Sequence, residues 1–216
     1  MPFHSWPTIW QLKWYRVAKY KQRRQIMGRP ALGAAHMPHI QNGACTGLSY
    51  AWIRQLRTMP TQGPVARCAA LNSDASYTQH NYLASVYNSA AAGASYPARM
   101  ATVAHHALGT AAGAAVNLNV QDFVNFTGLL HHLDTQHGEH LVAMDLNGVP
   151  TNHLCALSQG ATHMRFFDPN LGEFRVANAN RLAFFRNLVT QYATYVSGGG
   201  VAIHITFDAW DVSFLP

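Results

Sequence analysis

Acidic residues are scarce in this chain: nine in 216, with none among the first thirty. That stretch instead carries Lys13, Arg16, Lys19, Lys21, Arg23, Arg24 and Arg29. With eight arginines against nine acids, residues 31–216 sum to −1, so the net charge of +6 is an N-terminal feature. A fold-wide basic groove for DNA or RNA is excluded, and no nucleic-acid partner is expected. Cysteine is also scarce. Cys45, Cys68 and Cys155 are odd in number, irregularly spaced and without a CxxC pair. This excludes a disulfide framework and argues against structural zinc, so a reducing site of action fits. No apolar run approaches the ~20 residues of a membrane span. The N-terminus lacks the apolar core of a Sec signal peptide. The glycine run Gly198-Gly199-Gly200 has no following Lys-Ser/Thr, so it is not a phosphate loop, and no cofactor is expected.

What is present is globular. Hydrophobic residues make up 49% of the chain and charged residues 11%, enough to bury a core in one domain without staples. Residues 1–30 form a zone of their own. Trp6, Ile9, Trp10, Trp14, Val17 and Tyr20 recur at spacings of three or four among basic residues. This periodicity predicts a basic, aromatic amphipathic helix, which either docks on a membrane surface or partner or packs on its own domain. Residues 31–216 are expected to form the main domain.

Within that domain, 31–44 reads as loop and Cys45 to Arg57 as a helix with Leu48, Ala51, Trp52 and Leu56 on one face. Residues 58–75, with Pro60, Gly63, Pro64 and Asn72, read as a connector. Alanine-rich helices follow near 77–92 and 97–114, and another from Asp122 to Leu133. The pattern then turns to alternation. Strands are predicted over His140–Leu146, Asn152–Leu157, His163–Phe167 and Val201–Phe207, with a turn at Asn147-Gly148 and a helix over about 181–194 capped by Asn178 or Asn180. Helices first and an antiparallel sheet second make an α+β domain.

Three segments carry chemistry. Cys45 opens the first predicted helix of the domain after a small-residue loop, where unpaired N–H groups and the helix dipole lower a thiol's pKa. A thiolate there suits covalent catalysis, although most free cysteines are simply small buried hydrophobes. His153 lies within a strand, on one face with Cys155 and Leu157. Asp168 ends the next strand, where Pro169 and Asn170 fix a turn. A hairpin across Ser158–Ala161 would bring Asp168 beside His153, as a carboxylate that holds one tautomer must be. Taken singly, a strand histidine is more often a satisfied core residue, and Asp-Pro-Asn more often only a turn.

Together these segments resemble the YopT/AvrPphB family of papain-like cysteine proteases, bacterial effectors delivered into host cells. The resemblance rests on Gly43-Ala44-Cys45-Thr46-Gly47-Leu48-Ser49 with Trp52-Ile53, on Asn152–Leu157, and on Phe166-Phe167-Asp168-Pro169-Asn170-Leu171-Gly172-Glu173-Phe174. The order Cys, His, Asp matches, as do the separations of 108 and 15 residues, and the likeness spans about residues 40–210. It implies a papain-like fold with the nucleophile at a helix N-terminus packed on the sheet. It implies that Cys45 attacks a carbonyl, that His153 shuttles the proton and that Asp168 orients His153. An oxyanion hole would use the Cys45 N–H and a side-chain amide from Gln41 or Asn42. The partner is then a protein substrate in a target cell, host or rival bacterium. An antibacterial role would add a cognate immunity protein. Secretion would use a specialised system without a Sec signal, and action would be in the target cytoplasm. All three lysines lie within the first 21 residues. Such a lysine-poor body follows from a GC-rich genome, and also suits avoidance of ubiquitination in a host.

Other signals carry less. His131, His132, Asp134, His137, Glu139 and His140 straddle a helix end and a turn, and read as a polar helix terminus, so no metal is expected. Cys155 reads as packing. A protein deamidase or transglutaminase would use the same three residues, and a non-catalytic binding module would keep the scaffold alone.

Overall fold

The computed structural model describes residues 10–22, 25, 45–89, 96–109, 115–118, 126–147, 153–193 and 206–215. At its centre is a seven-stranded sheet in which every neighbouring pair is antiparallel, in the order β1-β6-β5-β4-β3-β7-β2. The strands are β1 (Arg16–Lys19), β2 (Ala115–Leu118), β3 (Gly138–Asn147), β4 (His153–Gln159), β5 (His163–Asp168), β6 (Gly172–Ala177) and β7 (Thr206–Leu215). Helices α2 (Cys45–Thr58), α3 (Pro64–Ala70), α4 (Asp74–Ser89) and α5 (Tyr96–Leu108) belong with one face of the sheet. The short α1 (Trp10–Lys13), α6 (Thr127–Thr135) and α7 (Arg181–Ala193) belong with the other.

Strand alternation sorts the two cores. Leu154, Ala156 and Phe167 pack with Leu48, Trp52, Ile53 and Leu56 of α2, while Cys155, Leu157 and Phe166 pack with Phe184, Phe185 and Leu188 of α7. Each large side chain so buried contributes roughly 1.5–3 kcal/mol. The apolar stripe at positions 48, 51, 52 and 56 is the buried face of α2, as its 3.6-residue period requires. Trp52 stacks on Phe167 with ring centroids 5.7 Å apart. Two glycines permit close approaches. A Cβ on Gly47 would lie 2.6 Å from His80 Cα, so α4 crosses α2 directly behind its first turn. Gly172 has φ +123°, and a Cβ there would lie 2.1 Å from the Ala18 carbonyl oxygen.

The α+β organisation expected from the sequence is the one observed, with local differences. The predicted N-terminal amphipathic helix is not continuous: a four-residue helix gives way to a turn and strand β1. The reason is a period of two hidden in the basic run. Val17 and Lys19 face out while Ala18 and Tyr20 are buried, and pairing with β6 satisfies the backbone. The expected connector contains α3, which starts on Pro64, a residue preorganised for a first helical position. The last strand was expected over Val201–Phe207; the described strand is Thr206–Leu215, which meets that range only at 206–207 while 201–205 lie outside the described residues, and β2 was not foreseen. The loop over 31–44, the Asn147-Gly148 turn and the glycine run at 198–200 lie outside the described residues.

Candidate active site

Cys45 is the first residue of α2, and one turn on the Ser49 hydroxyl donates to the Leu154 carbonyl at 3.0 Å. That bond ties the helix to β4 beside His153. His153 is 5% exposed and opens β4. Ala156 pairs with Phe167 across β4 and β5, and continuing this register sets Asp168 opposite Cys155 and diagonal to His153. His153 Nε2 and Asp168 Oδ1 are 3.0 Å apart.

Asp168 is fully buried and held by further donors. The Asn170 N–H donates to Oδ1 at 2.7 Å, and the Tyr192 hydroxyl donates to Oδ2 at 2.6 Å. The Tyr192 ring also packs against the imidazole, with centroids 5.6 Å apart. A carboxylate so fixed orients the ring and favours its charged form.

The electrostatics favour an ion pair. Burial pushes the Cys45 thiol up, but the hydrogen bond and charge of His153, with backbone N–H groups of Leu154 and Thr46, outweigh it and bring the thiol below its ordinary 9.0. Burial pulls His153 down, while Cys155 and the Asp168 carboxylate push it well above its ordinary 6.5. Cys155 itself is pushed up to about 12, chiefly by burial and then by Asp168. Cys68 is likewise pushed to about 12 by burial and Glu173. Of the three thiols, Cys45 alone is shifted down.

A second layer joins the segments. The Trp52 indole N–H donates to Glu173 Oε2 at 2.8 Å, and Arg67 Nε donates to the same oxygen at 3.0 Å. Arg67 and Glu173 are each 1% exposed, so this buried pair links α2 and α3 to β6 behind the site.

The structure thus brings Cys45, His153 and Asp168 together, while Gln41 and Asn42 lie outside the described residues. Sequence reasoning missed Tyr192, Ser49 and Arg67. Only Ser49 stood inside a quoted segment, and nothing near Tyr192 in sequence marks it. In the histidine-rich stretch, Asp134 pairs with Arg181, Glu139 with Arg57 at 3.4 Å, and the His140 ring is buried against His132. Among the described residues, the group able to offer three metal-ligating atoms is His153, Cys155 and Asp168 itself.

Comparison with known proteins gives a family and a fold. The family model Peptidase_C58, described as Yersinia/Haemophilus virulence surface antigen, matches residues 14–199. The crystal structure of the Pseudomonas avirulence protein AvrPphB superposes with a TM-score of 0.62 at 19% identity, covering 82% of this chain and 94% of that one. At that identity the likeness is one of fold. No curated protein matches.

Proposed function

This chain belongs to the Peptidase_C58 family, papain-like cysteine proteases of the virulence-effector kind, and from that premise we propose that it cuts a specific protein with Cys45 as nucleophile, His153 as acid–base and Asp168 as the group that orients His153. The observation that carries this reading is the buried His153–Asp168 pair, 3.0 Å apart, next to a Cys45 thiol that His153 holds below its ordinary value.

The chemistry follows from the ion pair. The Cys45 proton rests on His153, and the thiolate attacks a peptide carbonyl. Negative charge develops on the carbonyl oxygen, where the Cys45 N–H at the start of α2 and an amide of Gln41 or Asn42 would receive it. As the C–N bond breaks, His153 returns its proton to the leaving amine. Water, deprotonated by His153, then hydrolyses the thioester and frees Cys45.

The substrate is a protein inside a target cell, host or rival bacterium, reached through a specialised secretion system. A target in a rival bacterium calls for an immunity protein in the producer. Residues 31–216 carry the three catalytic side chains, and residues 1–30 add docking to the strand β1 that they contribute to the same sheet.

The test is intact-mass labelling by iodoacetamide of wild-type protein and of Cys45→Ala and His153→Ala variants. Rapid labelling at Cys45 that collapses without His153 supports the assignment. Labelling of Cys45 no faster than of Cys68 or Cys155 overturns it. With a substrate in hand, a cut chain marks a protease, and a shift of about one mass unit marks the deamidase that shares this acyl-enzyme chemistry.

A further inference from the structure

Acyl transfer needs His153 and Asp168 and gives Cys155 no bond-making part. That thiol is fully buried and stands two residues from His153 on β4, so strand alternation puts the two on one face of the sheet. Continuing the β4–β5 register sets Asp168 opposite Cys155. A sulfur, a ring nitrogen and a carboxylate oxygen consequently lie within 4.8 Å of one another, and His153 Nε2 is 3.0 Å from Asp168 Oδ1. Four-coordinate zinc holds nitrogen and oxygen at about 2.0–2.2 Å and sulfur at about 2.3 Å, which makes tetrahedral edges of roughly 3.3–3.6 Å. Side-chain rotations that move the donors by about an ångström therefore close the set around one ion.

Charge balance favours that ion. With the carboxylate ionised, the imidazole protonated and the thiol neutral, the three groups sum to zero. A divalent cation held by the carboxylate, a neutral imidazole and a thiolate also sums to zero, and the displaced protons leave for solvent. No net charge is added to a buried site. Asp168 is already oriented as metal-binding carboxylates are, by the Asn170 N–H and the Tyr192 hydroxyl. A thiolate beside an imidazole selects zinc over magnesium or calcium. We propose that His153, Cys155 and Asp168 form an inhibitory site for a thiophilic divalent cation of the zinc type, with a fourth position left for water. The inhibition rests on the protease reading above; the binding site does not. A neutral imidazole has one lone pair. Once the metal takes it, the other ring nitrogen holds the remaining proton and accepts none from Cys45, so the acid–base group is lost while the nucleophile is untouched. A histidine–aspartate pair alone offers two ligands, and Cys155 supplies the third and softest.

The experiment titrates Co²⁺, a spectroscopic stand-in for zinc, into full-chain Cys45→Ala protein. A thiolate-to-cobalt charge-transfer band in the near ultraviolet is expected, with the strong visible bands of four-coordinate cobalt, and Zn²⁺ should bleach both. Adding Cys155→Ala should abolish the charge-transfer band, and adding Cys68→Ala should leave it. Cys155→Ser keeps the side-chain size, and far-ultraviolet circular dichroism shows that it has folded. In wild-type protein Zn²⁺ should slow iodoacetamide labelling of Cys45, and EDTA should restore it. Over the same zinc range Cys155→Ser should keep its own metal-free rate. Absence of the band in Cys45→Ala, or a band that survives Cys155→Ala, overturns the proposal. So does equal slowing by zinc in wild type and Cys155→Ser, because the ion would then sit on Cys45 and His153. A full cobalt band with Cys45 labelling that is slow even without metal would sink the catalytic assignment alone. Rapid metal-free labelling with no cobalt band would sink the metal site alone.

Discussion

The side-chain amide of Gln22 donates to Asn170 Oδ1 at 2.6 Å, and its backbone N–H donates to the Pro169 carbonyl at 2.7 Å. Asn170 in turn donates its N–H to Asp168 at 2.7 Å. A residue from the N-terminal segment therefore braces the turn that presents Asp168 to His153. The family match begins at residue 14 and takes in this brace.

Gln22 is a positioning residue on this argument, and Gln22→Ala should lower turnover about fivefold while leaving KM near its original value. One net hydrogen bond is worth about 1 kcal/mol, and that amount acts here on orientation rather than on binding. Steady-state kinetics on a cleaved substrate separates the two parameters. A large rise in KM with unchanged kcat would show that Gln22 serves the substrate and not Asp168.

The opposed shifts of Cys45 and His153 set the pH behaviour. The thiol is shifted down from 9.0 and the imidazole well up from 6.5, and both shifts favour the thiolate–imidazolium pair over the neutral one. Alkylation of Cys45 should rise through the lowered thiol value and level off while His153 keeps its proton. Turnover, which needs that proton for the leaving amine, should fall again only at alkaline pH. In His153→Ala the opposing donor is gone and burial pushes the thiol up, so the alkylation limb moves to higher pH. Rates of iodoacetamide labelling across pH, read by intact mass, check both limbs. Cys68 and Cys155, each pushed to about 12, should stay unlabelled in the folded protein.

Much of this site was legible because its three residues fall where local rules act strongly. Cys45 begins a helix, His153 sits in an alternating strand, and Asp168 precedes a proline that stops the next strand. Gln22 and Tyr192 were not legible: they reach Asn170 and Asp168 across 148 and 24 residues, and no local pattern marks the pairing. The N-terminal helix was misread for a related reason. Its spacing fits a helix, but pairing of Arg16 and Ala18 with β6 decides the outcome, and tertiary context overrides periodicity. In β7 the sequence does alternate, with Trp210, Val212 and Phe214 between Asp211 and Ser213, yet the aspartates disguised it.

Tyr192→Phe isolates one bond to Asp168. The ring that packs on His153 is kept, and only the hydroxyl donating to Oδ2 at 2.6 Å is lost. A buried acceptor deprived of this donor costs about 1–3 kcal/mol, so urea unfolding should shift by that amount. Cys45 alkylation near neutral pH should slow by a smaller factor than in Asp168→Ala, because His153 keeps its carboxylate partner. Equal slowing in the two variants would place Tyr192 among the groups essential for orientation.

Glu173 is the residue whose loss should damage the fold most. It accepts from Trp52 and from Arg67, and both members of the ion pair are 1% exposed. Glu173→Ala leaves the Arg67 guanidinium buried without its counter-charge and also removes the acceptor of the Trp52 N–H. Breaking a buried pair from one side costs about 3–5 kcal/mol, a large part of a domain's stability. Replacing both partners by apolar residues of similar volume is often neutral. Glu173→Leu combined with Arg67→Met should therefore recover most of what Glu173→Ala loses, apart from the Trp52 hydrogen bond. Urea denaturation of Glu173→Leu, of Arg67→Met and of the double variant gives the coupling directly. If the double variant is as unstable as Glu173→Ala, the carboxylate matters for Trp52 and α2 rather than for the charge it shares with Arg67.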